Sequence, residues 1–144
     1  SGGVAFPMGT LGDVQGTGWR LGGLVQVKPA ALPVAIRGEL NYTSLGGKDI
    51  GLFDTESAGI FEGTVNAIYS FGAAKDATTS FYAIGGAGIY NSSDLFDTRF
   101  GLNAGAGVNF NLAGFKAFGE ARFHNVFAPE RSARMIPLTF GIRF

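Results

Sequence analysis

Cysteine is absent from the 144 residues, which excludes a disulfide framework, a thiolate zinc site and thiol catalysis together. Histidine occurs once. Charge is scarce: Asp, Glu, Lys and Arg make up 15% of the chain, against about 25% in an ordinary domain. Eleven basic residues balance eleven acidic ones, so no bulk field argues for nucleic acid. Long apolar runs are missing too, and nothing approaches the ~20 residues a spanning helix needs. Disorder does not fit, because the chain is apolar rather than charged. It begins at Ser1 without a basic-then-apolar leader, as after removal of a signal peptide or after trimming. The abundant residues are 24 Gly and 14 Phe, with aromatics at 13%. Length fits one domain, residues 1–144. The expectation is a Gly- and aromatic-rich β protein with apolar area to place.

Period-two alternation divides the chain into eight extended segments separated by Gly, Pro, Asp and Ser clusters. They lie near residues 2–8, 18–28, 34–43, 60–71, 80–91, 99–112, 115–127 and 136–144. The sixth is the clearest. Phe100, Leu102, Ala104, Ala106, Val108, Phe110 and Leu112 oppose Arg99, Asn103, Asn109 and Asn111. The fifth is so rich in Gly and Ala that its phase is hard to read, and Tyr82, Ile84 and Tyr90 are assigned to its apolar face. No helical stripe competes anywhere.

A water-soluble barrel or sandwich also alternates, so alternation alone does not say which face is wet. Charge placement speaks first. Of 22 charged residues, ten fall on strands, all on the polar face: Arg20, Lys28, Arg37, Glu39, Glu62, Arg99, Lys116, Glu120, Arg122 and Arg143. The opposite face carries none. Its aromatics gather at two levels. Trp19, Tyr42, Phe61, Tyr90, Phe100 and Phe123 fall toward one rim; Tyr69, Phe71, Tyr82, Phe110, Phe115 and Phe144 fall toward the other. Two aromatic girdles around an apolar band, on strands of about 9–11 residues, mark a transmembrane β-barrel. Connection lengths agree. Segments 29–33, 72–79 and 113–114 lie on the side of the termini; the mostly longer, Asp-richer segments 9–17, 44–59, 92–98 and 128–134 lie opposite.

On these residues the chain resembles the small bacterial outer-membrane β-barrels related in architecture to outer membrane proteins A and X. The ending Leu138-Thr-Phe-Gly-Ile-Arg-Phe144 is similar to the C-terminal signal read by the barrel-assembly machinery, through Leu138, Phe140, Ile142 and Phe144. Thr139 stands where that signal often has Gly. The stretches Gly101–Val108 and Glu120–His124 also look like the family. The resemblance implies an all-β, eight-stranded, antiparallel up-and-down transmembrane barrel in the bacterial outer membrane, with periplasmic termini. Its implied partners are outer-membrane lipid, lipopolysaccharide and, during biogenesis, the barrel-assembly machinery. It does not identify a protein partner or an activity, since such barrels include anchors, adhesins, small channels and lipid-modifying enzymes.

The inward charges are the candidate site. Arg20, Arg37, Arg122 and Arg143 share a narrow lumen with Glu39, Glu62 and Glu120. An interior just wide enough for side chains favours a paired network that plugs it. A gated pore for ions or apolar solutes is the rival reading. A water-soluble ligand carrier is more distant, since it would need the alternation inverted. His124 lies on the polar face, but Val126 stands two residues on, where a lipid A deacylase of this architecture would carry its Ser. One His among scattered carboxylates is no metal-ligand set, and no cofactor motif is present. The glycine runs 85–88 and 105–107 have no following helix, so they read as barrel geometry that leaves room for an inward Arg from a neighbouring strand. No enzymatic role is expected. The outer connections hold Asp13, Asp49, Asp54, Glu56, Asp94, Asp97 and Glu130 against Lys48, Arg131 and Arg134, a net −4. Solvated acidic loops are the expectation, and divalent cations bridging them to lipopolysaccharide phosphates are the functional alternative. Ile50, Leu52 and Phe53 interrupt the polar 44–59 run, as a partner or membrane contact would.

Overall fold

The computed structural model describes every residue except 48, 51–52, 55–56, 72–77, 93–95, 113 and 130–131, and the backbone alone at 14, 49–50, 53–54 and 96. Eight antiparallel strands close into one barrel, each hydrogen-bonded to its sequence neighbours and the first to the last. They are β1 (Gly2–Met8), β2 (Gln15–Val27), β3 (Ala35–Gly47), β4 (Ala58–Phe71), β5 (Thr79–Ser92), β6 (Phe96–Leu112), β7 (Phe115–Val126) and β8 (Ala133–Arg143). The short β1 closes the barrel, pairing with β8 over its whole length and with β2 over four residues. A two-residue ladder, Asp49–Ile50 with Phe53–Asp54, stands apart in the β3–β4 connection.

The eight segments expected from alternation are all strands. One connection differs from the expectation, because a single-turn helix, α1 (Thr10–Val14), joins β1 to β2. Five residues are too few to carry a readable stripe. Its Leu11 turns into the barrel mouth and is buried there.

The side chains alternate as each strand's pleat requires. Val25 (72% exposed), Leu40 (74%), Val65 (64%) and Phe140 (65%) stand on the outside. Arg20, Arg37, Glu39, Glu62, Glu120 and Arg122 are buried inside. β5 reverses the expected phase: Tyr82 and Tyr90 are 1% and 0% exposed and point inward with Ile84, while Phe81 and Ile89 face out. Both phases of β5 are apolar, so hydrophobicity could not choose between them. The tyrosine hydroxyls find partners only in the polar lumen.

The outer-rim girdle therefore loses Tyr90 and the opposite one exchanges Tyr82 for Phe81. Some of the remaining rings touch, with Trp19–Tyr42 at 5.6 Å, Tyr42–Phe61 at 4.7 Å and Tyr69–Phe71 at 5.0 Å between centroids. Phe100 stacks on Phe127 at 6.2 Å. A second departure is Arg134. β8 begins earlier than expected and takes this residue into the strand on the outward phase, beside Asn125 at the outer end, where its Nε donates to the Asn125 side-chain oxygen at 3.2 Å.

Candidate functional site

The centre of the lumen is a closed ring of four charges. β3 supplies Arg37 and Glu39, and β7, four places away around the eight-stranded wall, supplies Glu120 and Arg122. Residues two apart on a strand point the same way, so each strand offers one cation and one anion at successive heights. The order is inverted between them: Arg-Gly-Glu on β3 meets Glu-Ala-Arg on β7. Arg37 reaches Glu120 at 2.8 Å and Glu39 at 3.2 Å. Arg122 closes the ring on Glu39 and Glu120, both at 2.5 Å. Every charge has two opposite neighbours.

Buried charges are tolerated only when paired and hydrogen-bonded, and the lumen supplies the bonds. Tyr82 donates its hydroxyl to Glu120 at 2.7 Å, and Thr64 donates to Glu39 at 3.5 Å. Arg37 donates from Nε to Gln26 at 3.1 Å. Its guanidinium also lies between the rings of Tyr82 and Phe118, 5.5 and 5.1 Å from their centroids, in the range of cation–π attraction.

Toward the outer end, Arg20 pairs with Glu62 and donates to Thr43 at 3.2 Å, while Asn41 donates to Glu62 at 3.1 Å. Beside this pair, the Tyr90 hydroxyl meets His124 Nδ1 at 2.9 Å, and the same nitrogen lies 3.9 Å from Glu62. His124 is fully buried. Above it, Ala5, Leu11, Leu45, Ile60, Tyr90, Val126 and Met135 form an apolar cluster across the mouth. Val126 belongs to this cluster, so the position where a deacylase would hold its nucleophile is packing.

Toward the terminal end, Arg143 stands apart from the ring. It donates to Gln26 at 2.5 Å and also to Asn109, with its guanidinium 5.4 Å from the Phe118 ring. Of the other charges assigned to the polar face, Arg99 is half-buried, while Lys28 and Lys116 are exposed. Among the described residues no three of His, Cys, Asp or Glu gather as metal ligands.

Sequence reasoning had no place for Phe118 and misplaced Tyr82 and Tyr90. A signal for Tyr82 did exist on β6. A Cβ at Gly107 would run into the Tyr82 ring, as one at Gly105 would meet Arg122 Cγ at 2.7 Å. Gly105 thus leaves room for an inward Arg, as the glycine runs suggested. Gly107 does the same for an inward Tyr.

Leu138, Phe140, Ile142 and Phe144 share the outward phase at the end of the chain. Asp13 lies in α1, Asp97 in β6 and Arg134 in β8. The backbone of Asp49, Ile50, Phe53 and Asp54 forms the small ladder. Lys48, Leu52, Glu56, Asp94, Glu130 and Arg131 lie outside the described residues. Comparison with protein-family models, with curated proteins and with solved structures finds no match to this chain.

Proposed function

We propose that this chain is an integral barrel of a bacterial outer membrane, with periplasmic termini, a lumen plugged by its Arg–Glu network, and a structural or surface-binding role without catalysis. One observation carries the reading: the barrel is inside out for water. Its wall exposes Val25, Leu40, Val65, Phe81, Ile89 and Phe140, and its interior holds six buried Arg and Glu side chains. A carrier of apolar ligands in water needs the reverse. Contiguous exposed apolar area on this scale marks an interaction surface, and a band lying between aromatic rims suits a bilayer.

The ring of ion pairs and the apolar cluster above it favour a shut lumen over a gated pore. Lipid contacts the wall, and the net negative outer connections meet lipopolysaccharide phosphates through divalent cations. Leu138, Phe140, Ile142 and Phe144 serve as the signal to the barrel-assembly machinery.

Single cysteines at Leu40 and Val65 test this directly in membranes. They should react with a membrane-soluble maleimide and resist a charged aqueous one. The purified chain should also need detergent and migrate faster unheated than boiled. Efficient aqueous labelling at both sites, or stable solubility without detergent, would defeat the membrane reading. Bilayer recordings of the unaltered chain should be silent, whereas discrete openings would favour the pore.

A further inference from the structure

The terminal end of the lumen opens into a polar cavity of about 260 Å³ whose lining carries three cations, Lys28, Lys116 and Arg143, and no described carboxylate. The central ring already uses Glu39 and Glu120 on its own arginines. Lys116 and Arg143 are also direct cross-strand partners on β7 and β8. Like charges placed opposite each other in a ladder are destabilising. The chain keeps this repulsion, and the Arg143 Nε is buried there without a protein acceptor.

We infer that this vestibule binds a phosphate-type oxyanion. The donors approach from three parts of the wall: Lys28 follows β2, Ser80 comes from β5, and Lys116 and Arg143 come from the adjacent β7 and β8. A tetrahedral group with several acceptor oxygens meets such a surround better than a planar carboxylate with two. Ser80 Oγ accepts from Asn109 at 3.3 Å, which leaves its own hydroxyl proton to donate. The volume is several times the ~30 Å³ share of one water and below the ~300 Å³ of a drug-sized pocket, so it suits a small anion. Lys28 and Lys116 are exposed, so the site opens to solvent at the terminal end. A free phosphate and the phosphate of a lipid headgroup share this chemistry. The inference does not rest on the membrane reading, because the cavity is inside the barrel whatever covers its wall.

The test uses the full chain folded in maltoside micelles, which contain no phosphate. Inorganic phosphate is titrated while amide NMR shifts are followed, with chloride at equal ionic strength as the control. Saturable shifts should centre on Ser80, Asn109 and Lys116. Lys116→Gln should weaken binding about tenfold, Lys28→Gln together with it further, and Lys116→Arg should restore most of the loss. A short-chain phosphatidic acid below its micellar concentration forms the second arm. Tighter binding than inorganic phosphate assigns the site to a lipid headgroup, and equal or weaker binding to a free anion. No saturable shift with either probe, shifts indifferent to both lysine variants, or acetate binding as tightly as phosphate would overturn the inference. Lys28 and Lys116 are exposed, so the folded barrel should survive both changes, with unheated gel mobility as the check.

Discussion

The two ends of the lumen solve opposite problems. At the outer end the barrel is closed with hydrocarbon: α1 lays Leu11 into the mouth, and Leu45, Ile60, Val126 and Met135 pack below it. At the terminal end no helix among the described residues covers the opening; a smaller apolar cluster of Ala35, Ile68, Tyr82 and Ile84 lies inside it, and the cavity lining includes Gln26, Ser70, Ser80 and Asn109 with three cations. Between them, Arg37, Glu39, Glu120 and Arg122 pair with one another, with Arg37 Nη2 and Arg122 Nη1 left without a protein acceptor. The contrast teaches that burial and pairing go together here. In the ring and at the Arg20–Glu62 pair each buried charge has a partner of opposite sign; at the terminal end Arg143 makes do with neutral acceptors.

The sharpest way to break this contrast is to unpair the ring. Glu120→Ala removes the acceptor of Arg37, Arg122 and Tyr82 together and leaves two arginines sharing Glu39. It should cost about 3–5 kcal/mol, measured by denaturant unfolding in lipid vesicles, because an uncompensated charge remains in the interior. A loss below about 1 kcal/mol would mean that the ring is wet and exchanges with solvent like a surface pair.

Next in size is a charge on the outside at mid-height. Val65→Arg places a cation on the apolar wall and should cost about 2–4 kcal/mol if that position lies near a bilayer midplane. The same variant in water-exposed surroundings would be nearly neutral. A change near zero in vesicles would therefore mark a wet wall rather than a lipid-covered one.

Leu11→Ala addresses the seal. Large-to-small changes at buried leucines cost ~2–5 kcal/mol, and a single-turn helix at the mouth should sit at the lower limit. The loss should be local. Hydrogen exchange should accelerate in α1 while the β3 and β7 amides around the ring keep their protection. Uniform acceleration through the barrel would show that the outer cluster holds the whole wall together.

These differences were unequally legible in the sequence. β6 shows why the fold was: Phe100 to Leu112 keep one phase against three asparagines and Arg99, a pattern that only a half-polar strand produces. β5 shows where that signal fails, since Phe81 and Ile89 are as apolar as Tyr82 and Ile84. Its phase is settled by hydroxyls that find partners on β7 and by the space at Gly107 on β6, both properties of other strands. The inward direction of Arg37, Glu39, Glu120 and Arg122 was legible from alternation. Their pairing across the lumen was not, because it depends on the heights that barrel closure gives to β3 and β7. The plug at the outer mouth was hidden for the same reason. Leu11 lies in a short connection, and its burial is decided by Ala5, Leu45 and Met135 from three strands.

The smallest expected effect is at the open end. Arg143→Met removes two hydrogen bonds to neutral side chains, each worth ~0.5–1.5 kcal/mol net. It also relieves the repulsion from Lys116 directly across the ladder, ~0.2–1 kcal/mol in the other direction. The methionine stem still covers Phe118. The balance should be a loss of about 0–3 kcal/mol, below that of Glu120→Ala in the same unfolding measurement. Combining the two changes should give close to the sum of their effects, because Arg143 has no carboxylate partner among the described residues and is not a member of the ring. A coupling of more than about 1 kcal/mol would join the two regions through Gln26, which accepts from both Arg37 and Arg143. The lumen would then hold one polar network from ring to opening, and the difference between its ends would be one of solvent access alone.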